Sequence, residues 1–401
     1  RSALEGRLRH YTALADINLG DMIEFVMTNG VNRKSGRKVS VETGDPKNFT
    51  SYEEFKEAVK NQLRYAIRAV VEGSHIIDNV CMDRIVPALS LSFRDCIQKC
   101  SDYAWGGAKY NTGNGIIMIG VADLINSMAA VKNLVYGTRQ ISMKELILAL
   151  DVDFEGYDAI KKLCDDAPKY GNDNDATNEM AGETFIANEI ESYRSKFGTM
   201  TPGILPVSGK TPFGLEVGAL PSGRHAWKPL ADRVSPNGGT DTEGPGAVLK
   251  SVSHLPHDRF VQGTLLNMKI ELEMLNSENG IMQMMALLKS MCSLGIFHVQ
   301  FNVIDRETLL ATQERPEEYR GLLIRVAGYT AYFTELGKDV QDEIISRTMR
   351  PLFPDIVEAT LGRIDFALLG QLLDYFGGFF LIDAGGGGDI ARTHGALFLQ
   401  C

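Results

Sequence analysis

Apolar and polar positions along this chain change period several times, and each change marks an element. In ADINLGDMIEFVMTNGV the apolar residues recur at helical spacing and stop at Asn29-Gly30, which reads as a helix end followed by a turn. A second helix begins near Thr50 or Ser51 as the cap, with Glu53 or Glu54 serving the first turn. The series Phe55, Val59, Leu63 and Ile67 forms its buried stripe. Residues 84–100, RIVPALSLSFRDCIQKC, read as an extended entry that turns helical after Pro87. Glycines then surround a polar tip in WGGAKYNTGNG, and a long apolar helix follows. Residues 201–255 are turn-rich with short strands between. From 263 to 290 a strand leads into a methionine-rich helix whose stripe reads as core packing. HVQFNVIDRETLLATQERPEEYRGLLIRV supplies a further strand, a helix and another strand, so the pattern as a whole is α/β.

The last clear pattern runs from Leu323 to Thr348. Its first half alternates like a buried strand through Ile324 and Val326, and its second half has the periodicity of a surface helix rich in Glu, Lys, Asp and Gln. Gly328 interrupts the strand-like run. A glycine in such a place marks a bulge, a tight turn or a close approach of backbones.

Composition narrows the function classes. With 401 residues, 44% of them hydrophobic, the chain can bury a sizeable core. A formal net charge of -10 argues against nucleic acid as a partner. No apolar run reaches membrane-spanning length and no signal peptide opens the sequence, so a cytoplasmic location with no membrane partner is expected. None of the six cysteines forms a CxxC pair. Cys96 and Cys100 would share a helical face, but no further Cys or His accompanies them, and reduced, mostly buried thiols are expected. His225, His254 and His257 share no ligand spacing, so no metal site is assigned. The glycine-rich loop lacks both GxGxxG spacing and a Lys-Ser/Thr terminus, which removes nucleotide binding. Arg224 and Arg233 are read as braces for loops rather than as anion ligands.

Several stretches together carry a resemblance. Arg325-Val326-Ala327-Gly328-Tyr329, followed by an aromatic pair and by Asp342-Glu343-Ile344-Ile345-Ser346-Arg347-Thr348, closely resembles the radical-bearing segment of the glycyl radical enzymes. GGAKYNTGN, ISMKELILAL, PKYGNDNDATNEMAGE, the Pro221-Ser222-Gly223-Arg224 and Pro229-Leu230-Ala231-Asp232 loops and His298-Val299-Gln300-Phe301-Asn302 are similar to the same family in the same order. The resemblance extends from about residue 12 to Thr348. It implies an α/β fold: half of a ten-stranded α/β barrel with surrounding helices and a C-terminal glycyl radical domain. Residues 1–300 would be the C-terminal part of the barrel, 301–348 the glycyl radical domain and 349–401 an atypical extension. It also implies a backbone radical on Gly328 with no bound cofactor, generated by a radical S-adenosylmethionine iron-sulfur activase. A small-molecule substrate and a homodimer are the family's further expectations. Glycine suits the role because an α-carbon radical delocalised over its flanking amides needs a planar centre, which a side chain would crowd.

Two departures accompany the resemblance. The family's catalytic cysteine lies in a Gly-Cys-Val/Ile-Glu context, and Cys81, Cys96, Cys100, Cys164, Cys292 and Cys401 all lack it. The cysteine is therefore expected upstream of Arg1. Family members usually stop near the position of Thr348, whereas this chain continues through a helical apolar pattern and the segment DAGGGGD. An apolar tail of that kind is an aggregation hazard unless it packs on the barrel.

For the substrate, motif matching makes GILPVSG a pocket strand, and alternation turns Leu205 and Val207 inward. Two aliphatic groups favour a small keto acid or an arylacetate-like molecule over a diol or a sulfonate. The segment RVAGYTAYF, with Ala327 and Tyr332, looks closer to the lyase, dehydratase and decarboxylase branches. The expected activity is an anaerobic radical cleavage or elimination at a C-C, C-O, C-N or C-S bond. The alternatives are acyl transfer of the formate acetyltransferase (pyruvate formate-lyase) type, a non-catalytic radical-carrying subunit and an inert fragment.

Overall fold

A computed structural model describes residues 8–9, 15–83, 87–111, 113–196, 198–205, 209–269, 278–302, 306–325, 330–346 and 397–400. Strand β1 (Leu8–Arg9) precedes β2 (Ala15–Asn18), which runs straight into helix α1 (Leu19–Met27). Asn18 makes that junction: its backbone is extended, and its Oδ1 accepts from the amides of Gly20 at 3.0 Å and Asp21 at 3.4 Å. The helix ends where expected, with Asn29 and Gly30 both at positive φ. A side chain at Gly30 would collide with the Ser40 carbonyl.

Helix α2 (Tyr52–Met82) has 31 residues, and its cap is shared between the two candidates. The Glu54 amide donates to Ser51 Oγ at 3.3 Å, and Thr50 donates through its amide and hydroxyl to the Glu54 carboxylate. Phe55, Val59, Leu63 and Ile67 are all buried, as their spacing requires. One polar residue, Gln62, shares the buried side and is satisfied by the Val41 carbonyl at 2.9 Å and by Ser40 Oγ.

The region after α2 differs from the sequence pattern in three places. Helix α3 (Pro87–Ser90) begins at its proline but gives way to a turn before α4 (Arg94–Lys99). Cys100 caps α4 at φ 49 and is exposed, while Cys96 is buried, so the two do not share a helical face. After β3 (Tyr110–Asn111), the run GIIMI forms a strand, β4 (Gly115–Ile119), between the glycine loop and helix α5 (Val121–Ala130). Gly120, at φ +84, makes the break, and all five residues of β4 are buried. A π-helical stretch, Val131–Gly137, prolongs α5.

Helices α6 (Met143–Asp151), α7 (Asp158–Asp166), α8 (Asp175–Ala181) and α9 (Phe185–Glu191) then lead to β5 (Thr201–Gly203). Beyond it come α10 (Lys210–Gly214), α11 (Pro245–Ser253), β6 (Leu266–Lys269), α12 (Glu278–Ser293) and β7 (His298–Asn302). The chain closes with α13 (Arg306–Glu314), β8 (Leu323–Arg325), β9 (Thr330–Tyr332), α14 (Lys338–Ser346) and β10 (Leu397–Gln400).

Strands β2, β4 and β5 are parallel neighbours, β6 and β7 pair in parallel, and a parallel bridge from Ile204 to Thr264 joins the two sets. The result is one array in the order β2-β4-β5-β6-β7, the expected five-stranded half-barrel. At its far edge β10 pairs antiparallel with β7. Ile17, Ile116, Met118, Ile204, Leu266, Met268, Val299 and Phe301 turn to the helices and join the main core. The residues between them turn to the opposite, inner face. A second, separate core holds Leu309, Ile324, Phe333, Ile344 and Ile345, from α13, the β8–β9 hairpin and α14.

Candidate functional site

Gly328 and Val207 lie outside the described residues, but the elements beside them do not. Strands β8 and β9 pair antiparallel, with Leu323 opposite Tyr332, Ile324 opposite Ala331 and Arg325 opposite Thr330. Residues 326–329, which include Gly328, join the two strands. The hairpin is clamped from the side. Gln341 on α14 donates to the carbonyls of Phe333 at 2.8 Å and Leu336 at 3.1 Å, and Gln313 on α13 donates to Asp342 at 2.7 Å. That last bond, with help from Lys338, holds the exposed Asp342 carboxyl below its ordinary range.

The inner face of the array follows from register. Ile17 and Met118 are partners on the helix side, so their neighbours Asp16 and Ile117, also partners, face inward together with Gly203. Ile204 joins the helix-side core, and Leu205, just past β5, is half-buried beside Gly263. Asp16 remains accessible, and partial desolvation raises its carboxyl above the ordinary range. Across the start of β4 and β5 lies Gln262. Its Nε2 donates to Thr201 Oγ1 at 2.5 Å and its backbone amide to the Pro202 carbonyl at 3.0 Å. A Cβ on Gly115 or Gly203 would strike the Gln262 side chain, so these two glycines make room for it. Asn267, also inward by register, is held by Asp232 through its Nδ2 and by Ser235 through its amide at 3.0 Å.

Loop 214–231 covers the ends of β2 and β4, and Arg224 organises it. Its guanidinium donates to the carbonyls of Gly214 at 2.8 Å and Gly218 at 2.9 Å, and also to those of Val217, Lys228 and Pro229. Arg224 is thus a brace, as its setting in the sequence favours. Arg233 is also buried, its Nε 3.9 Å from the Asp232 carboxylate. Carboxylates gather around Arg224. Asp123, fully buried, accepts from the Ala231 amide at 2.6 Å and Asn237 Nδ2 at 2.8 Å; burial raises its pKa against the pull of Arg224. Burial, then repulsion from Glu24 and Glu216, pushes Asp21 up to about 8.

The histidines lie in separate places. His225 meets Asp153 at 3.1 Å, His254 meets the Lys250 carbonyl, and buried His257 bridges Thr264 and the Val252 carbonyl. Among the described residues no three His, Cys, Asp or Glu gather as a metal site, and no helix is long and apolar enough to cross a membrane. Asp16, Gln262 and Asn267 escaped the sequence reading, because facing the barrel depends on register between distant strands. The one available signal was the polar residue set between Ala15 and Ile17.

Residues 4–214 match the family model described as pyruvate formate lyase-like, and residues 230–334 match the glycine radical model. Trans-4-hydroxy-L-proline dehydratase of Clostridioides difficile is 39% identical over 343 residues, covering 84% of this chain and 43% of that protein. Isethionate sulfite-lyase of Oleidesulfovibrio alaskensis is 34% identical over 350 residues, covering 83% of this chain and 41% of that protein. The glycerol-bound B12-independent glycerol dehydratase from Clostridium butyricum superposes with a TM-score of 0.82 at 36% identity, over 85% of this chain and 44% of that one. The chain thus spans less than half the length of these relatives. With both family models matched in order along one half-barrel and its hairpin, the chain belongs to the glycyl radical enzyme family.

Proposed function

We propose that this chain is the radical-bearing part of a glycyl radical dehydratase or lyase, with the unpaired electron on the Gly328 α-carbon. The supporting observation is the hairpin, whose paired strands bring both flanks of Gly328 together inside the portion matching the glycine radical model. In the proposed cycle the Gly328 radical takes a hydrogen atom from a cysteine thiol, and the thiyl radical takes one from a substrate carbon. A leaving group departs from the adjacent carbon, the product radical recovers hydrogen from the thiol, and the thiyl is quenched by Gly328. No cysteine here has the family's sequence context, so that thiol belongs to a part of the enzyme other than these residues. Close placement of donor and acceptor is the protein's main contribution to such a relay.

Elimination is favoured over acyl transfer because the relatives are dehydratases and a sulfite-lyase. Leu205 and Val207 are proposed to line the substrate pocket. Leu205 alone favours a keto acid or an arylacetate, but Asp16 and Gln262 lie on the same inner face and offer hydrogen-bond partners to a hydroxylated substrate. A small hydroxylated molecule is therefore the preferred substrate class. The division at residues 300/301 and 348/349, activation by a radical S-adenosylmethionine enzyme, homodimer formation and a cytoplasmic location belong to the same proposal. A stand-alone radical carrier fits less well, since barrel strands and the glycine portion share one chain.

Anaerobic treatment with such an activase, in the presence of the cysteine-bearing part, should give an electron paramagnetic resonance doublet from the single remaining α-hydrogen. Oxygen should then cut the chain at Gly328. An activated protein with no doublet, or a doublet that survives Gly328→Ala, would overturn the proposal.

A further inference from the structure

Behind the barrel wall, on the helix side, lies a cavity of about 60 Å³. Its walls are almost wholly apolar, with Val59 and Leu63 of α2, Met118 of β4, Ile125 of α5, Ala181 of α8 and Ile204 among them. An engineered apolar cavity of about 150 Å³ holds benzene. At less than half that size, this one is too small for an aromatic ring and matches a propyl or isopropyl group. Three charged residues, Lys56, Lys60 and Glu183, complete its lining and leave one positive charge in excess. Lys56 is committed to Glu183 at 2.5 Å, whereas Lys60 rests over the Phe185 ring at 5.2 Å, with no carboxylate partner among the described residues.

We propose that this cavity is a binding site for a short-chain aliphatic carboxylate of about four carbons, its alkyl group inside and its carboxylate on Lys60. An alkyl body without the acid would gain only the apolar contact, and an acid without the body only a screened surface charge. The occupant would sit directly behind the substrate wall, because Met118 and Ile204 adjoin Ile117 and Gly203 in sequence while facing the opposite way. The inference does not depend on the radical chemistry.

The test uses the full chain, sodium butyrate as the probe and butan-1-ol as its neutral counterpart, read by calorimetry and by the shift in melting temperature. Butyrate should bind saturably at millimolar concentration or below and more tightly than the alcohol. Lys60→Gln should weaken butyrate about tenfold and leave butan-1-ol unchanged. Ala181→Leu, which fills the cavity, should abolish both, and the milder Val59→Ile should weaken both. Absence of saturable butyrate binding, or an unchanged ratio of butyrate to alcohol in Lys60→Gln, overturns the proposal.

Discussion

Asp21 illustrates how a single side chain can govern the pH response of the barrel end. One of its oxygens, Oδ1, is buried with no hydrogen-bond partner, and burial, Glu24 and Glu216 hold the carboxyl protonated up to about 8 against Arg224 and Asn18. Below its ordinary value of 3.8 the group is protonated whether the chain is folded or not, so it contributes nothing there. As pH rises from there to about 8, the unfolded chain releases the proton while the folded chain keeps it, and stability falls. Asp21→Asn should remove that loss, raising stability at pH 8 by on the order of a few kcal/mol and leaving it unchanged near pH 3.5. Urea unfolding across the window checks the slope, and an identical slope in the variant would contradict the assignment. Arg224→Lys gives a second test at this scale. An ammonium cannot span five carbonyls as the planar guanidinium does, so a cost on the order of 2 kcal/mol in the urea midpoint is expected.

Elements differ in how openly their sequences declare them. Helix α2 was legible throughout because its stripe repeats every four residues and its cap is local; Leu63→Ala should cost about 2–5 kcal/mol by urea unfolding. Strand β4 was hidden. GIIMI has no alternation to separate it from the apolar helix that follows, since it is buried on both faces, and only the positive φ at Gly120 separates the two. The polar inner residues were hidden too, since Gln262 reaches the barrel face only through the space left by Gly115 and Gly203, which are far apart in sequence. The hairpin offers a test of its own clamp. Gln341→Leu removes both carbonyl contacts at once and should speed amide exchange in Phe333 and Leu336 about tenfold, measured by hydrogen exchange.

At the scale of the whole molecule, the five parallel strands and their helices share one continuous core, while α13, the hairpin and α14 gather around a smaller one, with five buried apolar residues among those described. An assembly that small cannot match the larger one in free energy of opening. Unfolding is therefore expected in two steps, and the melting and urea midpoints used as readouts above belong to the larger core. Heating should release the segment around Gly328 while the strands behind Leu205 remain cooperative. Fluorescence and calorimetric transitions would then fail to coincide, and the thermal limit on the proposed Gly328 radical would be set by a local equilibrium well below the one that dissolves the barrel.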